Sequence, residues 1–303
     1  MHSHVLGLNS EMKAALAGVI ANVILGASSL YWKALGDISP QALLCYRILI
    51  SLVTIAAVLA FKDDLRSIIN RVSLRLLMVH ALAAVFVVIN WGTFIWASIN
   101  GHVLESGLGY LLAPFVAITI GALALEEKIS LTRLLALITI AVSVSYLFIT
   151  SRDLSHWVYI TIGITWGGYA CLKKLTTLDS FSGLLVETSV LAVFIPLMVL
   201  TLPISLSLPN TTPLSKILLL GLCGLVSVIP LALFAFAASR LALSIMGFFQ
   251  FILPMTQLFV ALAIYRQPVT HTTLFCFSVI ALGLVLIVAE QFMQSCKLVT
   301  NKI

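Results

Sequence analysis

Charge is what this chain has least of. Its 303 residues carry 17 Lys and Arg and 11 Asp and Glu, 9% charged in all against 61% hydrophobic. A mean hydropathy of +1.15 excludes a water-soluble globular domain, because too little polar surface is left to clothe an exterior facing water. The solvent is lipid. Cysteines are few and scattered: Cys45, Cys171, Cys223, Cys276 and Cys296 have no paired spacing for zinc or a disulfide framework, and read as small apolar fillers. Asp63-Asp64 has no second acidic cluster to complete a diphosphate-metal motif and reads as a solvated loop. No Gly-x-x-x-x-Gly-Lys-Ser/Thr loop occurs, so the energy for any work must come from a gradient or an exchange partner. The opening MHSHVLGLNSEMK lacks the basic start and cleavage site of a signal peptide, so the first span is expected to stay as an anchor.

What is abundant is apolar sequence. Runs long enough to cross a hydrocarbon core of about 30 Å, roughly 20 residues if helical, recur at 14–34, 41–61, 74–97, 103–125, 131–149, 156–175, 182–202, 215–238, 243–265 and 272–293. They lack the alternation of barrel strands, and helices satisfy their own backbone groups in lipid. The expected fold is therefore all-α integral membrane, with ten transmembrane helices. With the N-terminus in the cytoplasm, the inner segments hold Lys13, Lys62, Arg66, Arg71, Arg75, Lys128, Arg133, Lys173, Lys174, Arg240, Lys297 and Lys302, and the outer ones only Arg152, Lys216 and Arg266. The positive-inside rule then puts both termini of a multi-pass inner-membrane protein in the cytoplasm. The net charge of +6 follows this rule and needs no nucleic-acid partner. The expected partners are the lipid bilayer and a small-molecule substrate, with no cofactor.

The chain repeats itself. A shift of 140 residues puts Phe94 on Phe234, Ala97 on Ala237, Gly107 on Gly247 and Pro114 on Pro254; a shift of 141 puts Gly26 on Gly167, Lys33 on Lys174, Ser39 on Ser180 and Leu43-Leu44 on Leu184-Leu185. The matches keep their order and set five spans against five. Five is odd, so the second copy enters the membrane from the opposite side. The expected organisation is a cytoplasmic segment 1–13, a first repeat 14–149, a linker 150–155, a second repeat 156–293 and a cytoplasmic segment 294–303. Two inverted halves that exchange conformations expose one central site to each face in turn, which is alternating access.

Against this apolar background the stretch NWGTFIWASINGHVLESGLGYLLAP, residues 90–114, stands out. An ionised side chain inside a span costs about 2.5–3.5 kcal/mol, so intramembrane charges are functional candidates by default. The few that stand out are Lys33, Arg47, Glu105 and Glu187. His102 and Glu105 share a helix face at i and i+3, also a metal-pair spacing, but no second His-x-x-Glu exists, so no metal is expected; a site, a gate and a dipole-favoured helix cap stay open for Glu105. Arg47 and Glu187 occupy adjacent places in corresponding helices, where they either pair with each other or each meet substrate. Asn90, Trp91, Trp96, Tyr110, Gln250 and Gln257 can supply the aromatic walls and oriented polar groups of a small-molecule site, with interfacial anchoring as the alternative for the tryptophans. Gly107 and Gly247, followed by Pro114 and Pro254, either pack helices closely or form a gate. Proton coupling needs a carboxylate that binds substrate and proton exclusively, and Glu105 and Glu187 are the candidates.

Asn90-Trp91, Phe94-Ile95-Trp96-Ala97, Asn100, His102, Glu105 and Leu108-Gly109-Tyr110 through Pro114, with Pro230, Arg240-Leu241, Ser244, Gly247-Phe248-Phe249-Gln250 and Pro254, carry a resemblance over nearly the whole chain. They are similar to the drug/metabolite transporter superfamily with two EamA-type repeats, and to its RarD-like subgroup, historically tied to chloramphenicol sensitivity. Ala113 stands where that pattern usually has Asn, and Tyr265-Arg266-Gln267-Pro268 where it has Gly-Glu-Lys-Pro. The resemblance implies secondary transport, more often export than import, with multidrug efflux or uptake as the alternative. The charged residues themselves suit a molecule with both carboxylates and amines, such as an amino-acid-derived metabolite or an opine-type metallophore. A membrane-embedded lipid enzyme is the rival class; it needs convergent catalytic groups that the sparse His, Asp and Glu do not supply.

Overall fold

A computed structural model describes residues 2–61, 65–124, 130–173, 175–201, 204–208, 212–241, 246 and 249–300. Among them no strand occurs, and the helices are α1 (His2–Ala34), α2 (Pro40–Ala60), α3 (Leu65–Arg71), α4 (Leu74–Asn100), α5 (Val103–Ala124), α6 (Leu131–Thr150), α7 (His156–Lys173), α8 (Ser180–Thr201), α9 (Leu214–Gly221), α10 (Cys223–Ala238), α11 (Ile252–Ala263) and α12 (His271–Thr300). Among the described residues eight stretches are long and apolar enough to cross a membrane: Met12–Ala34, Pro40–Ala60, Leu74–Asn100, Val103–Leu123, Leu131–Thr150, Ser180–Thr201, Leu214–Ala238 and His271–Glu290. The sequence reading has two more. At those places lie α7, whose 18 residues include His156 and Lys173, and α11, whose 12 residues are apolar but short.

Local chemistry sets the helix ends. Ser39, Ser73 and Ser130 cap α2, α4 and α6, each accepting a backbone N–H two or three residues into its helix, and Pro40 opens α2 where no amide hydrogen is needed. Asp179 accepts from the Phe181 and Ser182 amides and the Ser182 hydroxyl at the start of α8. Partial burial works against its charge, but these donors outweigh it and hold the carboxyl below the usual range. Gly101, at φ 81°, ends α4 in the left-handed conformation that lets the chain turn straight into α5.

The helices pack around α4, α5 and α7. α1 lies against α10, α11 and α4; α2 against α10, α8 and α4; α5 against α7 and α11; α4 against α7 and α8; and α6 pairs with α12. Two apolar clusters result, one centred on Trp32, Leu43, Ile48 and Ile95, the other on Leu108, Leu111, Tyr159 and Ile280. Large apolar side chains such as Val53, Leu82, Val142, Phe194, Phe259 and Leu282 point outward, as a lipid solvent requires. Gly26 and Gly167 permit close approaches of backbone. A Cβ on Gly26 would lie 2.6 Å from Thr256 Cβ and 2.8 Å from the Leu253 carbonyl oxygen; one on Gly167 would lie 2.7 Å from Val116 Cβ and 2.6 Å from the Ala113 carbonyl oxygen. Helix backbones therefore touch at α1·α11 and at α7·α5, with no room for any side chain.

Candidate functional site

Arg47 on α2 is 93% buried by its 7% exposure, and no carboxylate accepts from it; its Nε and Nη1 find no acceptor at all. Its guanidinium lies 4.0 Å from the ring centre of Trp91 on α4 and 5.1 Å from that of Trp32 on α1. Indole faces offset part of the cost of a buried cation, about 2 kcal/mol when desolvated, yet a guanidinium has five N–H donors at its edges. Tyr31, Tyr110 and Cys223 lie within its electrostatic reach. Tyr110 Oη donates to Asn90 Oδ1 at 3.0 Å, Asn90 Nδ2 to Thr165 Oγ1 at 3.1 Å, and Thr165 back to the Thr161 carbonyl at 2.6 Å. This relay fixes one wall across α5, α4 and α7. Trp166 meets Tyr110 edge-on at 5.7 Å and stacks against Tyr169 at 5.5 Å, so one aromatic row leads away from the guanidinium.

That row ends at Glu187 on α8, which is fully buried and well supplied with donors. Tyr169 Oη donates to Oε2 at 3.0 Å, and Lys173 Nζ to Oε1 at 3.1 Å, while His80 Nδ1 faces Oε1 at 2.8 Å. His80 Nε2 meets Thr176 Oγ1 at 2.7 Å. Arg47 and Glu187 are thus not paired with each other: the carboxylate's partners come from α4 and α7.

Glu105 is equally buried and forms a second knot at the α4–α5 turn. Its Oε1 faces His102 Nδ1 at 2.8 Å and accepts the Ser155 amide at 3.2 Å; its Oε2 accepts from Gln267 Nε2 at 2.6 Å. Gln267 Oε1 accepts the Leu104 amide at 3.0 Å, so one carboxamide ties the chain after α11 to the start of α5. Trp96 stacks on His102, ring centres 5.1 Å apart and planes within 6°, and also meets Trp157 at 4.7 Å. Lys33 lies beside this knot, its Nζ 3.9 Å above the Tyr265 ring. Tyr265 Oη donates to the carbonyls of Ser29 and Ser98 at 3.0 and 2.8 Å.

Gln257 on α11 is fully buried, and neither its Oε1 nor its Nε2 has a partner. It rests on Gly107 of α5, where a Cβ would lie 3.4 Å from Oε1. Gln250 lies exposed in the turn before α11. Pro114 sits inside α5, where it removes a hydrogen bond to the Tyr110 carbonyl. Pro254 sits in the first turn of α11, where no such bond exists to lose. Gly247 lies outside the described residues.

The structure thus gathers Arg47, Trp91, Asn90 and Tyr110 into one box, sets Trp96 and Glu105 in the turn knot with Lys33 close by, and holds Glu187 in its own network. Sequence reasoning missed Tyr31, Trp32, Thr165, Trp166, Tyr169 and the partners of Glu187. Trp166 and Tyr169 at i and i+3 were a visible signal, but aromatics at that spacing read equally well as packing.

No family model matches the chain. Full-length relatives do. An uncharacterized transporter of Bacillus subtilis, YojE, is 31% identical over 291 residues, covering 92% of this chain and 94% of its own length. A protein named RarD from Streptomyces exfoliatus is 29% identical over 289 residues, covering 92% and 89%. The RarD protein of Escherichia coli is 28% identical over 282 residues, covering 92% and 94%.

Proposed function

Because the chain belongs to the RarD-like transporter family, it is a multi-pass membrane transporter, and we propose that it exports a small anionic metabolite by alternating access between two inverted halves. The observation that carries the substrate side of this reading is Arg47. A buried guanidinium with no carboxylate partner among the described residues and two nitrogens, Nε and Nη1, without an acceptor is costly by several kcal/mol, and an anionic group brought by the substrate removes that cost. A carboxylate docks on it in the planar, two-bond geometry that guanidinium favours, with the indoles of Trp32 and Trp91 as walls. The class that fits is an amino-acid-derived carboxylate, an opine-type metallophore being one member. The aromatic row of Trp166 and Tyr169 favours a second reading, efflux of a planar drug such as chloramphenicol.

The inverted repeat, of ten spans with α7 and α11 completing the two halves, has support in the packing. Exchange α1, α2, α4, α5 and α6 for α7, α8, α10, α11 and α12, and α1·α10 becomes α7·α4, α5·α7 becomes α11·α1, α2·α10 becomes α8·α4, and α2·α4 becomes α8·α10; α2·α8, α5·α11 and α6·α12 map onto themselves. The glycine contacts follow the same register. Gly26 against Leu253 and Thr256 becomes Gly167 against Ala113 and Val116 on shifting by 141 and 140 residues. The excess of Lys and Arg on one set of connections supports cytoplasmic termini in the inner membrane.

The test compares intracellular and extracellular metabolites by untargeted mass spectrometry in cells with and without the chain, under ordinary and metal-starved growth. Export predicts an anionic compound that builds up inside when the chain is missing, and returns outside with the native chain but not with Arg47→Met. Identical profiles in both conditions contradict export.

A further inference from the structure

The transporter's substrate has two heads, and its second head carries no charge. This rests on the reading of Arg47 as the anion site and extends it to Gln257. The buried hydroxyls of Ser98, Ser143, Thr165, Thr188 and Ser227 turn back onto a carbonyl of their own helix. Those of Ser29, Ser51, Ser106 and Ser151 find no partner, like both ends of the fully buried Gln257 carboxamide. Gln257 lies where α11 packs on α5, and α11 packs on α1 as well. Ser106 precedes Gly107, which rests on Gln257, and Ser29 lies one turn beyond Gly26, which touches Leu253 and Thr256.

The donor set decides the ligand chemistry. A carboxamide offers two donors and an acceptor, and each hydroxyl offers both. The Gln257 carboxamide is itself uncharged, so it offers an ammonium no counter-ion and an anion no cation. An amide or hydroxyl satisfies it. The carboxylates that might have received an amine are already occupied: Glu105 by His102, Ser155 and Gln267, and Glu187 by His80, Lys173 and Tyr169. The two heads also lie within reach of one small molecule. Gly107, on which Gln257 rests, sits three residues before Tyr110 on the same face of α5, about 4–5 Å along the axis, and Tyr110 lies within the electrostatic reach of Arg47. We infer that Arg47 takes a carboxylate while Gln257 takes an uncharged amide or hydroxyl, which selects acylated or otherwise amine-blocked amino acids over free ones.

The test is binding to the purified full-length chain in detergent, read by the fluorescence of the tryptophans beside Arg47. The probes are N-acetyl-L-leucine (carboxylate and amide), 4-methylpentanoate (carboxylate alone), L-leucine and L-leucinamide. N-acetyl-L-leucine should bind about tenfold more tightly than 4-methylpentanoate, the usual gain of one or two neutral hydrogen bonds. L-leucine should bind more weakly than either, and L-leucinamide should give no saturable change. Gln257→Leu should bring N-acetyl-L-leucine down to the level of 4-methylpentanoate and leave the latter within twofold. Gln257→Glu should reverse the order and favour L-leucine. Unfolding curves that match the native chain's show that each variant is folded. L-leucinamide binding as tightly as N-acetyl-L-leucine, an equal loss for both anions in Gln257→Leu, or no saturable binding of either anion overturns the inference. Binding as predicted without movement in vesicles would instead refute the transport reading and leave the two-headed site standing.

Discussion

Arg47, Glu187 and Glu105 are three charges taken out of water, and their surroundings give them three different tasks. Arg47 keeps two nitrogens without an acceptor, the feature on which the proposed anion site rests. Glu105 is closed by groups from the connections around it, Gln267 and Ser155, and works as a fastening for the turn. Glu187 is neutralised from inside, but Tyr169 and Trp166 link it to Tyr110 and so to the box. A proton arriving at Glu187 would loosen Lys173 and His80 together, which makes it the better of the two coupling candidates. Glu187→Gln should therefore abolish substrate movement driven by a pH gradient in proteoliposomes, with exchange at equal pH retained. Glu105→Gln should keep the gradient response and instead lower thermal stability in detergent by about 1–3 kcal/mol, the cost of unmet buried groups. Gradient-driven movement that survives Glu187→Gln would remove this residue from coupling.

At the scale of helices, the contacts at Gly26 and Gly167 decide how closely the halves dock. Each faces a carbonyl and a Cβ of the opposing helix within 2.6–2.8 Å, so an added side chain must push two backbones apart. Gly26→Leu and Gly167→Leu should each lower the unfolding temperature in detergent, at about 1–3 kcal/mol of overpacking or more, and by similar amounts, since each glycine does the same work in its half. A large loss at one and none at the other would count against equivalent halves. Eight of the ten expected spans were legible in the sequence as runs of apolar residues, and Gly26 and Gly167 fall on each other when the chain is shifted against itself. Asn90 and Tyr110, twenty residues apart across one turn, were also legible as neighbours. The partners of Glu187 were not, because His80 and Lys173 reach it from 107 and 14 residues away through packing that no local pattern encodes. Nor was the exposure of Gln250, a turn residue that reads as helical when the apolar run is taken as unbroken. That Arg47 lacks a partner is a fact about every helix around it, and only the folded arrangement reveals it.

For the whole molecule, the account joins an exchangeable pair of halves to one unpaired cation between them. If that is right, the space around Arg47 opens to each side of the membrane in turn and prefers anions from both. Ser51 lies one turn beyond Arg47 on α2, buried and without a partner for its hydroxyl, and so reports on the same face. The native cysteines at Cys45, Cys171, Cys223, Cys276 and Cys296 would first be replaced, and Ser51→Cys then labelled in right-side-out and inside-out vesicles with membrane-impermeant thiosulfonates of either charge. The account predicts reaction from both sides, with the anionic reagent faster than the cationic one in each case. Labelling from one side only, or a faster cationic reagent, would contradict it.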